Sequence, residues 1–332
     1  MLPGVLAGQY APEAIQIDLA QLCQSAGARF VLGAVSGVDR AGRHVHVAGH
    51  GPVAFDVLSI GLGSVPTMAG VRVDDVAPVL PIKPMQTFLT RLNDALGRID
   101  PSSRVRITVV GGGAAGVEVA LTLPVWVRAT LGPRSGCTVT IVTAGDSVLP
   151  GSGTSARRRA ARVLRSRQVC VQLGASAVGI TATAVTLADG STVPTDLAVW
   201  TTGAAPPPVI RDLGLPLDAD GFLETRETLQ TTGDTHVFAV GDTGRVSGSA
   251  MPRAGVHAVR QGPVLWSNIL HVLEGTRLAS FVPQGDFLRL LNTGDGRAIA
   301  EWRSRSAEGR WCFLLKDWID RRFLAPYQYP QP

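Results

Sequence analysis

Residues 105–123 read VRITVVGGGAAGVEVALTL, and no other stretch of the 332-residue chain narrows the fold as much. Its first six residues are mostly β-branched and apolar, as in a strand buried within a parallel sheet. Gly111, Gly113 and Gly116 then take GxGxxG spacing, and the residues after them have helical character. Each glycine serves a different purpose. The first allows a tight turn, the second lets backbone approach a pyrophosphate, and the third lets helix pack closely on strand. An anion would rest on the helix N-terminus, where unpaired amides and the helix dipole favour negative charge. CTVTIVTAG at 137–145 supplies the next strand and completes a βαβ unit. A glycine-rich turn in an unrelated α/β protein is the simpler alternative, but it has no need of strand, loop, helix and strand in this order.

Residues 107–127 are apolar enough to read as a membrane span, and Gly112 and Gly116 form a small-xxx-small pair. Glu118 and Pro124 lie inside the stretch, so strand followed by helix describes it better. Three more apolar runs end in comparable turns. FDVLSIGLGSVP (55–66) ends on Gly61, Gly63 and Ser64, TDLAVWTTGAAPPP (195–208) on Thr202 and Gly203, and DTHVFAVGDTG (234–244) on Gly241 and Asp242. A carboxylate at such a strand end can accept hydrogen bonds from a ribose or ribityl hydroxyl.

In this order the motifs resemble those of the two-dinucleotide flavoproteins of the pyridine nucleotide-disulfide oxidoreductase superfamily. MLPGVLAGQY (1–10), MPRAGVHAVRQGP (251–263) and GRWCFLLKDWIDRRF (309–323) are similar to its type II NAD(P)H dehydrogenase branch, including the flavoproteins associated with selenide,water dikinase. The resemblance implies an α/β fold with two nested Rossmann-like domains, one for FAD and one for NAD(P)H, and a small α+β C-terminal domain. The NAD(P)H domain is inserted into the FAD domain, which accounts for a fingerprint so far along the chain. The expected boundaries are 1–100 with 206–275 for FAD, 101–205 for NAD(P)H, and 276–332 for a C-terminal interface domain.

A first fingerprint for the FAD pyrophosphate would precede residue 1, so the FAD domain is expected to be N-terminally incomplete. Loss of about two or three charge-assisted amide bonds would weaken FAD on the order of a hundredfold. Two readings follow. One is an FAD-dependent enzyme that takes hydride from NAD(P)H and reduces a quinone or similar small acceptor. The other is a truncated, catalytically silent nucleotide-binding or interaction module.

The resemblance also assigns roles. Glu118 matches the glutamate near the nicotinamide and is a catalytic candidate, although a carboxylate in a first helical turn is also stabilised by the dipole. His257 is the second candidate, with Gln261 as a weaker acceptor contact and a packed core histidine as the alternative. Asp242 matches the aspartate on the flavin ribityl chain, and the backbone at Val256 would start a helix aimed at the flavin pyrimidine edge. Gly61, Ser64, Thr202, Gly203 and Gly241 complete the cofactor-binding set with the fingerprint glycines. Lys83 has no role beyond a solvated side chain, and no metal site is expected.

An NAD-type site carries an acidic residue at the end of the second strand. Thr143 and Ala144 stand there instead, with Asp146 a few positions on. Arg157 and Arg158 could meet a 2′-phosphate or simply cover an exposed helix, so the balance tilts to NADP and leaves both cofactors open. Cys23, Cys137, Cys170 and Cys312 form no CxxC pair, which disfavours a dithiol reductase, sulfide oxidation and a zinc ribbon, and fits a reducing compartment. Formal charge is +5, yet among 31 basic residues only Lys83 and Lys316 are lysines and the arginines are scattered. Without a dense basic block bearing aromatics, no nucleic-acid partner is expected.

Near the C-terminus, Trp311, Leu314, Leu315, Trp318 and Ile319 fall on one helical face, with Lys316, Asp317, Asp320 and Arg321 mostly on the other. By resemblance this segment, 311–324, is a peripheral membrane contact, and a helix packed on its own domain or on a second subunit is the alternative. The first residues have no basic segment ahead of an apolar core, so they do not read as a signal peptide. A cytoplasmic protein resting on the inner face of the membrane, with a homodimer left open, is the expectation.

Overall fold

The computed structural model describes residues 1–100, 102–249 and 254–328. In chain order, α1 (Leu2–Leu6) and α2 (Leu19–Ser25) precede an antiparallel set of β1 (Val35–Asp39), β2 (His44–Val47) and β3 (Val53–Ala54). Next come β4 (Leu58–Ile60), β5 (Arg72–Val73), β6 (Val79–Pro81) and α3 (Phe88–Leu96). The fingerprint unit is β7 (Val105–Val110), α4 (Ala114–Leu131) and β8 (Cys137–Val142), followed by α5 (Thr154–Ser166) and β9 (Cys170–Gln172). Four short strands follow: β10 (Ala177–Ile180), β11 (Ala184–Leu187), β12 (Thr192–Pro194) and β13 (Leu197–Trp200). Then come β14 (Leu223–Thr225), β15 (Gln230–Thr231), β16 (Asp234–Ala239), β17 (Gly244–Val246) and α6 (Gly255–Glu274). The chain continues with β18 (Arg289–Asn292), β19 (Ala298–Trp302), β20 (Arg305–Gly309) and α7 (Arg310–Leu324).

Contacts divide these elements into two compact units. The first comprises residues 1–29, 66–203 and 288–332. Its centre is a parallel sheet in the order β6-β13-β7-β8-β9, with Val110 level with Val142 on one side and Trp200 on the other. Strand order reverses at β7, since β8 follows it in sequence on one flank while β13 comes much later on the other. Such a switch point is where open α/β sheets bind ligands, beyond the carboxyl ends of the strands. α4 packs on this sheet through Val117, Ala120, Leu123 and Val127, and Leu2, Leu6, Phe88, Leu92 and Leu96 from α1 and α3 join the same core. α5 buries Ala156, Ala160, Val163 and Leu164, an i, i+4, i+7, i+8 stripe, and turns its arginines outward or sideways.

α4 is long and apolar enough by length and composition to cross a membrane. Its buried residues sit in this core, and β7 ends before it begins, so the apolar stretch is strand plus core helix.

The second unit comprises residues 30–65 and 204–287. Its larger sheet runs β17-β14-β15-β16-β4, with β16 and β4 parallel and Ala239 level with Ile60. Ile60, Leu223, Val237 and Ala239 form one cluster with Ile210, Leu213 and Leu215, while Leu229, Phe238, Val246 and Phe281 form another. α6 is tied in by Asn268, which is fully buried: its Nδ2 donates to the carbonyls of Thr228 (2.9 Å) and Ala279 (2.8 Å), and its Oδ1 accepts from Ala279 N at 2.8 Å.

This cut differs from the three domains expected from sequence. Residues 1–29, 66–100 and 288–328 belong with the fingerprint unit because their apolar side chains, Leu291 and Ile299 included, share its core. Glu301 of β19, 3% exposed, reinforces the join: it accepts from Gly153 N, ahead of α5, at 2.6 Å and pairs with Arg289 at 3.3 Å.

The C-terminal helix leaves its apolar row open. Trp311, Leu314 and Trp318 are 57%, 63% and 57% exposed, with Ile319 and Phe323 also open. The packed stripe is Cys312, Lys316 and Leu324 at four-residue multiples, so Lys316, expected on the face opposite the apolar row, is buried. It can be, because Nζ meets Asp320 Oδ2 one turn on at 2.7 Å.

Candidate functional site

In the first unit the site forms where β7, β8 and β13 end. Gly111 has φ +125, which favours glycine, and a Cβ there would sit 2.5 Å from Thr201 Oγ1 and 2.6 Å from Thr202 Cγ2. Gly116 is closer still: a Cβ would fall 1.9 Å from Gly111 O. Gly113 is the opposite case, with nothing within 4 Å of a Cβ, and it is the N-cap of α4. Two glycines are therefore required by packing, while the third faces open space in front of the helix amides, where a pyrophosphate would lie. Thr201 Oγ1 donates to Val110 O at 2.9 Å, holding the turn after β13 against the fingerprint. Sequence reasoning singled out Thr202 and missed Thr201; the available signal was that Thr201 directly follows the strand. Gly203, with φ +69, is pressed against Thr67, 2.5 Å from Thr67 Cγ2 to a would-be Cβ.

Glu118 lies on α4, two residues past Gly116. Its Oε1 accepts from Asn292 N at 2.7 Å, and Asn292 Nδ2 donates to Gln9 Oε1 at 2.6 Å. Desolvation pushes the Glu118 carboxyl up, with the Asn292 hydrogen bond and the Lys316 charge pulling the other way. The carboxylate thus ties α4 to β18, a partner with no signal in the sequence.

In the second unit, residues some 180 positions apart meet at the ends of β4 and β16. Ser64 Oγ donates to Asp242 Oδ2 at 2.8 Å, and Gly63 N to Thr243 Oγ1 at 2.7 Å. Gly241, at φ +64, donates its N–H to Gln261 Oε1 at 2.7 Å, which ties α6 to the turn. Gln261, expected as an acceptor contact, is 2% exposed and holds this turn instead. Gly61 has only Val240 Cγ2 nearby, 3.9 Å from a Cβ, so packing does not demand glycine there. Val256 sits in the first turn of α6, where its own amide lacks a helical acceptor while the His257 amide donates to Ala254 O at 2.9 Å. Met251–Arg253, which open that motif, lie outside the described residues.

His257 is 3% exposed, packs edge-on against Phe287 at 5.5 Å between centroids, and has no hydrogen-bond partner on either ring nitrogen. Burial, with the Arg260 charge, pushes its pKa down, so the ring is neutral. Nη1 of Arg260 is likewise buried and unpartnered. Unmet buried donors and acceptors cost stability unless something supplies partners, so the start of α6 is suited to a polar, ring-edged group. The four cysteines are free, and burial raises the Cys137 thiol to about 12, which leaves no reactive dithiol among the described residues.

The pyridine nucleotide-disulphide oxidoreductase model matches residues 5–262. The chain belongs to that family. It is 31% identical over 291 residues to demethylphylloquinone reductase NdbB of Synechocystis sp., covering 84% of this chain and 67% of that protein. To the type II NADH:quinone oxidoreductase of Haemophilus influenzae it is 29% identical over 191 residues, 54% of this chain and 43% of the relative. The chain thus spans about two thirds of the first relative and less than half of the second. In fold it is similar to the sulfide:quinone oxidoreductase of Aquifex aeolicus, with a TM-score of 0.79 at 16% identity over 98% of this chain and 81% of that one. The water-forming NADH oxidase of Lactobacillus brevis gives 0.74 at 21%, over 91% and 65%. The family fold is mixed α/β with parallel, Rossmann-like sheets, as the expected fold class required.

Proposed function

We propose that the chain is an FAD-dependent NAD(P)H oxidoreductase that reduces a quinone or similar small acceptor. One observation carries the reading: the chain builds two polar cradles, one with Gly113 open before α4 and one where Ser64, Asp242 and the start of α6 converge. In this reading the fingerprint unit holds NAD(P)H, with Gly111 and Gly116 setting the turn and the α4 amides taking the pyrophosphate. Thr202 and Gly203 border that site.

FAD fits the second cradle. Asp242, already aligned by Ser64, accepts from the ribityl chain, Gly61 and Gly241 leave room beside it, and the amide at Val256 with the unpartnered His257 and Arg260 nitrogens meets the pyrimidine edge. Bound FAD supplies the ring that accepts a hydride and passes electrons on. His257 stays neutral and donates or accepts at that edge. Glu118, its pKa raised by desolvation, is the other catalytic candidate, for proton exchange with the reduced acceptor. Relatives named for demethylphylloquinone or quinone reduction support this class of acceptor.

The test is to purify the chain with added FAD, desalt it, record the visible spectrum and then supply NADH or NADPH with a soluble quinone. A flavin band that bleaches, followed by turnover, supports the enzyme. A folded, colourless protein without turnover favours the silent nucleotide-binding module.

The exposed row on α7 supports peripheral attachment to the cytoplasmic face of a membrane. Trp311, Leu314, Trp318 and Phe323 present aromatic and aliphatic surface, with Arg310, Arg321 and Arg322 alongside for anionic headgroups. Co-sedimentation with anionic vesicles at low salt, lost in Trp318→Glu, is expected. No co-sedimentation together with a dimer in solution would assign the row to a second copy instead.

A further inference from the structure

We infer that the fingerprint site selects NADPH over NADH, with Arg157 as the group that takes the adenosine 2′-phosphate. The inference rests on the nicotinamide-nucleotide part of the reading above. In a βαβ nucleotide site the adenine ribose lies at the end of the second strand, where a carboxylate accepts from the 2′-hydroxyl and repels a phosphate, and an arginine does the reverse. Here that strand is β8, and the residue after it is Thr143. Its side chain is seated against the fingerprint: a Cβ on Gly112 would come 2.8 Å from Thr143 Oγ1. No carboxylate can share that place. Leu149 N donates to Gly112 O at 2.7 Å, which folds the intervening loop back onto the glycine turn.

Arg157 joins this loop from α5. Its Nη1 donates to Ser147 Oγ at 3.1 Å, while Nε is buried and has no partner. A guanidinium fork suits phosphate better than an ammonium does, and one of its donors stands here unmatched. The neighbouring Arg158 lines a different place, a cavity of about 550 Å³ with Thr154, Ser155, Arg159 and Arg162. There Arg159 donates to Ser306 and Arg162 pairs with Glu308. The amide of Gly153, the N-cap of α5, is taken by Glu301.

Asp146 is the rival, the one acidic residue between 143 and 158. It is exposed, and its Oδ1 accepts from Ser147 Oγ at 3.0 Å. Ser147 therefore stands between the carboxylate and the guanidinium, and the first side chain beyond β8 is neutral.

Binding of 2′,5′-ADP and 5′-AMP to the full chain, measured by titration calorimetry, tests this without flavin or turnover. We expect 2′,5′-ADP to bind about tenfold to a hundredfold more tightly. Arg157→Ala should bring the ratio close to one while leaving 5′-AMP affinity in place. Arg157→Lys should retain part of the preference. Equal affinities in the unaltered chain, or loss of both ligands alike in Arg157→Ala with Arg157→Lys behaving as the parent, would overturn the inference. So would a fall in 5′-AMP affinity in Asp146→Asn, which would put the ribose on Asp146. Binding of neither ligand overturns the nucleotide reading as well, whereas retained discrimination in a protein without turnover upholds this inference and removes only the enzyme.

Discussion

Alanine at Gly116 and at Gly113 should separate folding from binding within one loop. At Gly116 a Cβ would meet Gly111 O at 1.9 Å and Thr201 Oγ1 at 2.9 Å, where real Cβ atoms do not come within 3.0 Å. The start of α4 must retreat from β7 by roughly 1 Å, and it cannot do so cheaply in a close-packed interior. The obstacle is a backbone carbonyl, in a turn that Thr201 fastens to Val110. Overpacking of this kind costs about 1–3 kcal/mol, here at the upper end. Replacing glycine by alanine in a helix returns about 1 kcal/mol, leaving a net loss of about 2 kcal/mol. For a unit of this size that lowers Tm by about 4–8 °C.

Gly113 is the control. Its φ of −72° and ψ of −178° suit any residue, and a Cβ touches nothing within 4 Å. Gly113→Ala should stay within about 1 kcal/mol of the parent, as for an N-cap exchange. Its methyl group enters the space assigned to pyrophosphate, so nucleotide affinity should fall about tenfold or more. Thermal melts and calorimetric titration with nicotinamide nucleotide read both effects. A Gly116→Ala protein that melts with the parent, or a Gly113→Ala protein with undiminished affinity, would refute this division of labour.

Asn268→Leu should cost about 2–4 kcal/mol in urea unfolding, because it strands the carbonyls of Thr228 and Ala279 and the amide of Ala279. Lys316→Met should cost roughly 2 kcal/mol by leaving Asp320 without its cation, while the double change Lys316→Met/Asp320→Leu should recover most of it; a double-mutant cycle with no coupling would contradict the pair. Glu118 has a folded pKa raised above 4.5 by desolvation, so the folded state binds its proton more tightly than the unfolded chain does. As pH climbs from below 4.5 through the folded value, the parent should lose stability relative to Glu118→Gln, and parallel stability curves across that window would show the carboxyl is not desolvated.

Much of the site was legible because local chemistry dictated it. The spacing of Gly111, Gly113 and Gly116 after a β-branched run implied strand, turn and helix, and Gly241-Asp242 after an apolar run implied a strand-end carboxylate. Both are short-range patterns in which backbone geometry and residue type are directly coupled. The partners were not legible. Asn292 reaches Glu118 across 174 positions and Ser64 reaches Asp242 across 178, and nothing in either stretch of residues encodes the other.

The C-terminal helix shows the same divide. Periodicity correctly placed Trp311, Leu314 and Trp318 on one face, since about 3.6 residues per turn is a local property. Which face is packed was decided by tertiary structure: Cys312 packs against Ala298 and Ala300 of β19, and Asp320 makes burial of Lys316 tolerable. Sequence by itself thus determined the element types, the glycine turn and the family fold, all set by neighbours along the chain. Only the tertiary structure decided that residues 1–29 and 288–328 share the fingerprint unit's core, that Gln261 is spent on Gly241, and that Arg157 rather than Arg158 attends the loop after β8. Those outcomes depend on long-range burial and on which buried polar groups find partners, and no local pattern records either.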